Sequence, residues 1–194
     1  MKKQIIFVIT DNNFMIKRAD QPFVLFEPKG IKHIPTVPFY HELWNTNDDF
    51  IKYMNELKNL ISDGVRSLFI KQEVIVYAPS DLTTVDKKAI EDYLLVSRII
   101  KKVTFNSYSS NIGKDSGDYI ALTSSDRVVT LEVYENYEIK ETIFYNRYNL
   151  RIEEVVNTIN NKQTVYASFP VRICDVNKNL MDFYDCGVVV ELIS

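Results

Sequence analysis

Short apolar runs alternate with polar or proline-containing turns along the first third of the chain. Such runs, bounded by turn-forming residues, are typical of β-strands. The runs that we predict as strands are 4–10, 14–17, 23–26 and 31–34. The breaks between them, for example Asp11-Asn12-Asn13 and Pro28-Lys29-Gly30, predict a meander of strands.

An amphipathic helix is predicted after this meander. Between Phe50 and Ile61, apolar residues recur at helical spacing, with Asn47 as a candidate N-cap and Gly64 as a stop. The remaining positions of this segment are polar. We therefore expect one buried face and one solvated face for this helix.

A buried strand and a capped helix are predicted next. The run 74–78 is apolar throughout, as in a strand that is covered on both faces. The segment Thr83-Thr84-Val85-Asp86 resembles a capping box in which Asp replaces the usual Glu, and it marks the start of the helix. The predicted core stripe of this helix consists of Val85, Ala89, Tyr93, Val96 and Ile100.

The polar, glycine-containing stretch 106–117 is the one segment long enough to separate two lobes. We place the boundary there, with a first lobe at 1–112 and a second at 113–194. The second lobe also shows strands followed by a helix, for which Asn149 is the candidate cap. Its predicted strands are 119–122, 128–134, 139–145, 164–171 and 188–193. The predicted buried face of its helix is Ile152, Val155, Val156 and Ile159.

Composition narrows the function classes. The 194 residues are 46% hydrophobic, which is enough for a full core, and the net charge of −3 offers no overall attraction to nucleic acid or anionic membrane. No apolar stretch approaches the roughly 20 residues that a membrane helix needs. The apolar run after Lys2-Lys3 stops at Thr10-Asp11 without a cleavage site, so we expect a first core strand there. A cytoplasmic protein without a transmembrane segment is expected.

Isolated chemistry-bearing residues form no catalytic or metal-binding pattern. His33 and His41 have no nearby Ser or Cys to activate. Cys174 and Cys186 are far apart without a histidine or a second pair, so we expect free thiols and not zinc ligands. Asp81, in a strand-to-helix turn, is expected to cap the helix. No catalytic residue and no metal site are predicted.

The chain contains many aromatic residues, with 12 Tyr and 11 Phe. Of the features of this sequence, this number is the one that a hydrophobic core alone explains least. The aromatic-rich segment 39–44 lies between a proline-broken hairpin and a predicted helix. Aromatic side chains present a large contact area at small entropic cost, which suits an interface, although core filling is their commoner role. We predict Phe39, Tyr40 and Trp44 as an exposed surface for a protein partner.

Several segments resemble the bacterial actin-like (MreB-like) family. The apolar strand 74–78, the Pro79-Ser80 turn and Lys88-Ala89-Ile90 with Asp92 resemble the strand, turn and helix of that family. Three further segments are similar to family motifs and follow in family order: Val24-Leu25-Phe26-Glu27-Pro28, Asn111-Ile112-Gly113 and 152–159.

This resemblance implies an α/β fold with an actin-like ATPase (ribonuclease H-like) core. Such a core has two pseudo-duplicated lobes, each with a mixed sheet flanked by helices. Because the chain is much shorter than the family, the outer subdomains are expected to be missing or reduced.

The resemblance also implies where ATP would bind, and the residues there depart from the family. Family members hold Mg-ATP between two glycine-containing hairpins, in which N–H groups cradle phosphates and an Asp organises the metal. The first motif falls on 8–11, where Val8 replaces the Asp and Thr10 the glycine, with Asp11 next to it. The second motif falls on Ala121-Leu122-Thr123-Ser124-Ser125-Asp126, so that Ala121 replaces the Asp and Thr123, Ser124 and Ser125 replace the glycines. The water-positioning Glu falls near Asn106, which cannot act as a base.

These departures predict a non-enzymatic chain without a cofactor, for which nucleotide binding is not expected. Losing two or more charge-assisted contacts, at about 1.5–3 kcal/mol each, weakens binding by roughly a hundredfold to ten-thousandfold. We expect a cytoskeletal or cell-shape-associated scaffold that self-associates or binds a protein partner. Two alternatives stay open. One is a residual ATP-binding, chaperone-like or segregation ATPase in which Asp11 and Asp126 substitute for the lost carboxylates, and the other is a stand-alone protein-binding adaptor.

Overall fold

The computed structural model describes residues 4–19, 21–28, 37–43, 50–62, 71–113 and 115–193. The chain divides into two compact units. The first comprises Met1–Ala78 and Leu82–Asn106, and the second Pro79–Asp81 and Ser107–Ser194. This division falls six residues before the expected lobe boundary at 112/113.

The first unit contains one mixed sheet of five strands, in the order β3-β2-β1-β4-β5. Its strands and helices are β1 (Ile5–Ile9), β2 (Phe14–Arg18), β3 (Val24–Phe26), α1 (Phe50–Ile61), β4 (Gln72–Ala78), α2 (Thr84–Val96) and β5 (Ile100–Ser107). β1 pairs antiparallel with β2 and parallel with β4, and β2 pairs antiparallel with β3. The strands predicted at 4–10, 14–17 and 23–26 are confirmed. The predicted strand at 31–34, the cap Asn47 and the stop Gly64 lie outside the described residues.

Helix α2 begins at the predicted capping box. The Thr83 hydroxyl accepts a hydrogen bond from the Asp86 N–H, and the Asp86 carboxylate accepts one from the Thr83 N–H. The predicted core stripe is confirmed for Tyr93, which is buried, but it is wrong for Val85 and Val96, which are 77% and 40% exposed. The buried residues of the helix are Asp86, Ile90, Tyr93 and Leu94. The buried face therefore lies about one residue further along the helix, which corresponds to a rotation of roughly 100°.

The second unit contains a second five-stranded mixed sheet, in the order β10-β9-β6-β7-β8. Its elements are α3 (Tyr108–Ile112), β6 (Tyr119–Ser124), β7 (Val128–Glu135), β8 (Glu138–Asn146), α4 (Ile152–Val165), β9 (Val171–Cys174) and β10 (Val188–Val189). β6 pairs antiparallel with β7 and parallel with β9. If the strands of each unit are numbered from one to five in chain order, both sheets have the spatial order 3-2-1-4-5. Two pseudo-duplicated lobes require such a repeat.

The stretch 106–117 contains the division between the units, and it also holds the end of β5 and α3, where the Ser107 hydroxyl accepts a hydrogen bond from the Ser110 N–H and acts as the N-cap. Two local predictions in this unit are wrong. Asn149 lies in a 3₁₀ turn, and α4 begins after Arg151 without a side-chain cap. The strand predicted at 164–171 is mostly loop, because α4 continues to Val165.

An apolar core covers one face of the second sheet. Alternating residues of β6, β7 and β9 point to this face and pack with Val155 and Ile159 of α4. The opposite face is also buried but carries polar side chains, among them Thr123, Thr130 and Glu132. Within the described part of the chain, no helix is long and apolar enough to cross a membrane.

Candidate functional site

The β1–β2 connection stands where the resemblance places the first phosphate-binding hairpin. Val8 is a fully buried strand residue opposite Met15 on β2 and Tyr77 on β4. The connection is closed by its own polar groups. The Thr10 hydroxyl donates to the Asn13 side-chain oxygen at 2.6 Å and accepts from the Asn13 N–H at 3.1 Å, while the Thr10 N–H donates to the Asn13 carbonyl.

The β6–β7 connection stands at the second expected hairpin, and Ser125 organises it. Its hydroxyl accepts hydrogen bonds from the N–H groups of Arg127 and Val128, at 3.1 and 3.2 Å. The Ser125 N–H donates to the Val128 carbonyl. Three N–H groups of this turn are therefore already bound within the turn.

A partly buried ion pair holds the Pro79–Asp81 turn to this connection. The Arg127 guanidinium contacts the Asp81 carboxylate at 2.9 Å, and the Ser125 hydroxyl donates to the same carboxylate oxygen at 3.1 Å. The prediction that Asp81 caps α2 is wrong, because Thr83 is the N-cap. Arg147, from the 3₁₀ turn after β8, donates to the Ser125 carbonyl. The carboxylate and the cation of this pair thus neutralise each other beside the connection.

The other residues expected at the second hairpin lie inside β6. Ala121, Thr123 and Ser124 are each at most 2% exposed. Ala121 sits opposite Glu132 on β7 and Arg172 on β9. Among the described residues, the hydroxyls of Thr123 and Ser124 have no hydrogen-bond partner. These two positions therefore offer the backbone of a regular, paired strand and not a glycine turn.

Glu132 is a buried carboxylate that sequence reasoning missed. It lies in the middle of β7 at 2% exposure, where the Ser80 hydroxyl donates to it at 2.9 Å. Burial raises the pKa of Glu132, and the hydrogen bonds from Ser109 and Ser80 oppose this shift only in part. The signal available in the sequence is a single acid within the run Val128-Val-Thr-Leu-Glu-Val-Tyr134.

A hydroxyl network surrounds this carboxylate. The Ser109 hydroxyl lies 3.3 Å from that of Ser80 and 3.0 Å from that of Tyr134. The Tyr119 hydroxyl donates to the Ser109 carbonyl, and its ring stacks on Tyr134 with centroids 4.5 Å apart. α3 and the Pro79–Asp81 turn are thereby fixed on the polar face of the second sheet.

The first unit contains a contrasting carboxylate. Asp86 is 3% exposed and lies 2.5 Å from the ring nitrogen Nε2 of His41. Burial works to raise the pKa of Asp86, but the hydrogen bonds with His41 and Thr83 outweigh it and lower the pKa below 3.8. His41 therefore has a structural partner, as expected for a histidine without a nucleophile to activate. His33 lies outside the described residues.

The predicted partner surface is wrong for the two of its residues that can be placed. Phe39 and Tyr40 are each 3% exposed, in a 3₁₀ turn that follows Pro38. The Phe39 ring packs on Phe14 with centroids 5.0 Å apart. Both rings therefore fill the core of the first unit. Trp44, the third residue of that prediction, lies outside the described residues.

The remaining predicted positions are scattered. Asp11 and Asp126 lie in the β1–β2 and β6–β7 connections, and Asn106 is a partly buried residue of β5. Cys174 is a buried free thiol, and Cys186 a partly buried one. The described residues include no group of three or more His, Cys, Asp or Glu placed to hold a metal ion.

Solved structures of known proteins share this fold. The ethanolamine utilization protein EutJ from Carboxydothermus hydrogenoformans is similar with a TM-score of 0.59, at 10% identity, over 99% of this chain and 85% of that one. MreB5 of Spiroplasma citri bound to ADP is similar with a TM-score of 0.50, at 10% identity, over 86% of this chain and 58% of that one. AlfA from B. subtilis plasmid pLS32, in its filament structure, is similar with a TM-score of 0.51, at 10% identity, over 98% of this chain and 91% of that one.

These similarities, together with the repeated strand order, define the class of the fold as that of the actin-like ATPases. Identities near 10% show the fold and no activity. The chain spans little more than half of MreB5 but most of EutJ and AlfA. It matches no protein-family model and no curated protein sequence.

Proposed function

We propose that this chain is a non-enzymatic, actin-like scaffold or interaction protein with a degenerate ATP site, which acts through self-association or a protein partner. A cytoskeletal or cell-shape-associated role follows from the MreB-like resemblance. The observation that carries the proposal is the β6–β7 connection, in which the Ser125 hydroxyl binds the N–H groups of Arg127 and Val128. A phosphate would have to compete with that hydroxyl.

The residues at the expected hairpins do not fit Mg-ATP. A magnesium ion takes oxygen ligands and is usually held through carboxylates, whereas the expected carboxylate positions carry the side chains of Val8 and Ala121. Thr123 and Ser124 lie in regular strand pairing, where close backbone approach to a phosphate is blocked by side chains. Arg127 is paired with Asp81 and so brings little net charge.

Self-association is supported by the fold class. AlfA was solved as a filament, and MreB5 was solved bound to ADP. A chain that keeps the actin-like fold but not the nucleotide site would assemble in a way controlled by concentration or by a partner, since it has no hydrolysis step to time its turnover. This role as a scaffold separates the proposal from the residual-ATPase alternative.

The test is a thermal-shift titration with Mg-ATP and Mg-ADP, with MreB5 of Spiroplasma citri as the positive control. We expect no saturable shift for this chain up to millimolar nucleotide. A ligand at a hundred times its dissociation constant contributes about 2.7 kcal/mol to stability, which is readily measured. A saturable shift would overturn the degenerate-site proposal and favour the residual-ATPase alternative.

Sedimentation velocity across a concentration series, without nucleotide, tests the second half of the proposal. We expect the sedimentation coefficient to increase with protein concentration. A strict monomer at all concentrations would contradict self-association. The proposal would then be limited to binding another protein, which co-purification tests.

A further inference from the structure

Strand β8 ends the second sheet on one side, and no described strand pairs with its outer edge. It has nine residues, whereas β10 at the opposite end has two. A long edge strand presents a row of N–H and C=O groups that can pair with another chain. β8 is therefore the edge of this sheet with the larger capacity for pairing.

The hydrogen-bond pattern identifies which residues of β8 point outward. The Arg147 N–H donates to the Arg127 carbonyl, and Val129, Leu131 and Val133 stand opposite Tyr145, Ile143 and Glu141. In antiparallel pairs, hydrogen-bonded and non-hydrogen-bonded positions alternate. The backbone groups of Thr142, Phe144 and Asn146 consequently point away from β7.

The exposed apolar side chains of this region concentrate along the same strand. Tyr137, Ile139, Phe144 and Tyr148 are each at least half exposed, and all lie on β8 or within two residues of it. The charges of β8 lie in its N-terminal half, at Glu138, Lys140 and Glu141, and the C-terminal half from Thr142 to Asn146 carries no charge. An uncharged edge segment rich in β-branched and aromatic residues is a favourable site for strand pairing.

We infer that β8 pairs antiparallel with β8 of a second copy of this chain, around a two-fold axis at Thr142. The β7–β8 ladder has an irregularity at Lys140, which the register skips between Val133 and Tyr134. The proposed dimer register is centred on Thr142, the midpoint of Glu138–Asn146, and its regular part runs from Glu141 to Ile143. It sets Lys140 opposite Phe144, Glu138 opposite Asn146 and Glu141 opposite Ile143. No like charges face each other, and the Lys140 ammonium meets an aromatic ring.

This inference rests on the proposed self-association and specifies its contact. A two-fold interface uses the same strand of both copies and closes on itself, so it yields a dimer and not an open filament. The dimer would join two five-stranded sheets into one continuous sheet of ten strands. Any longer assembly would then use a different surface of the dimer.

Proline at position 142 tests the edge directly. Thr142→Pro removes an N–H that points away from β7, so the β7–β8 pairing is retained while the central hydrogen bonds of the dimer are lost. We expect the dimer dissociation constant from sedimentation to rise about tenfold or more, whereas the control Thr142→Val leaves it unchanged. If Thr142→Pro dimerises as the wild-type chain does, the β8 contact is wrong while self-association stands.

A charge exchange tests the register even if the proline variant does not fold. Phe144→Lys sets like charges opposite each other at Lys140, whereas Phe144→Glu sets opposite charges there. We expect Phe144→Lys to dimerise less than Phe144→Glu, and the double variant Lys140→Glu/Phe144→Lys to regain dimerisation. Equal effects of the two single variants, without recovery in the double variant, would overturn this register. A wild-type chain that stays monomeric would overturn the contact and the proposed self-association together.

Discussion

The two units bury a carboxylate each, and they differ in what they place beside it. Asp86 in the first unit meets the ring of His41 and the capping N–H of Thr83. Glu132 in the second unit meets the hydroxyls of Ser80 and Ser109 but, in the interactions described, no cation. Although both side chains are at most 3% exposed, the pKa of Asp86 is lowered and that of Glu132 is raised.

This difference shows that burial alone does not decide the charge state of a carboxyl group. Desolvation acts on both groups in the same direction, toward the neutral acid. Hydrogen bonds to the ionised form, with a histidine that can carry a positive charge, reverse the balance for Asp86. Neutral hydroxyl donors do not reverse it for Glu132.

Removing the Asp86 carboxylate should have the largest effect. Asp86→Ala loses the partner of His41 and one half of the capping box, so we expect a loss of about 2 kcal/mol in unfolding free energy at pH 7. Chemical denaturation gives this value. The control on the same helix is Asp92→Ala, which removes only an exposed pair with Lys88 and should cost less than about 0.5 kcal/mol. Equal costs for the two variants would contradict the role of Asp86.

The acid dependence of the same site should distinguish charge from shape. Asp86→Asn keeps a side-chain oxygen for the Thr83 N–H but removes the charge, and we expect a loss of about 1 kcal/mol at pH 7. The folded-state pKa lies below the unfolded value of 3.8, so the ionised group stabilises the chain above that pH and loses this contribution as the pH falls through the folded pKa. The wild-type and variant denaturation curves should therefore converge in acid. A gap that persists at all pH values would assign the effect to packing.

How much of this arrangement can be read from the sequence differs between the two units. The capping box at Thr83 and Asp86 is a local pattern, and the structure confirms it. The local sequence does not determine which face of α2 is buried, because Val85 and Ile90 both suit an apolar stripe. Only tertiary packing selects Ile90. His41 is 45 residues from Asp86, so the pair itself carries no sequence signal.

The second unit shows the same limit more strongly. Periodicity predicts β7 correctly and places an acid at position 132, but it cannot supply the partners. Ser80 is 52 residues away and Ser109 reaches the site through α3, a helix hidden in a stretch that reads as a polar linker. Phe39 and Tyr40 illustrate the opposite error, since aromatic composition is equally compatible with a core and with an interface.

Neutralising Glu132 should have the smallest effect, and its sign should be the reverse of that for Asp86. The folded-state pKa of Glu132 lies above the unfolded value of 4.5, so the folded chain binds more protons between the two values and wild-type stability falls as the pH rises through that window.

Glu132→Gln keeps an oxygen acceptor for Ser80 and removes the titration. We expect the variant to match the wild-type chain below about pH 4.5 and to be more stable at neutral pH, by less than about 1 kcal/mol. Urea denaturation across pH 4 to 8 measures the difference, with Glu135→Gln, at the partly exposed end of the same strand, as the matched control. A variant that is less stable than the wild-type chain at neutral pH would mean that the hydroxyls of Ser80 and Ser109 suffice to stabilise a buried carboxylate, and the contrast between the two units would then have a different cause.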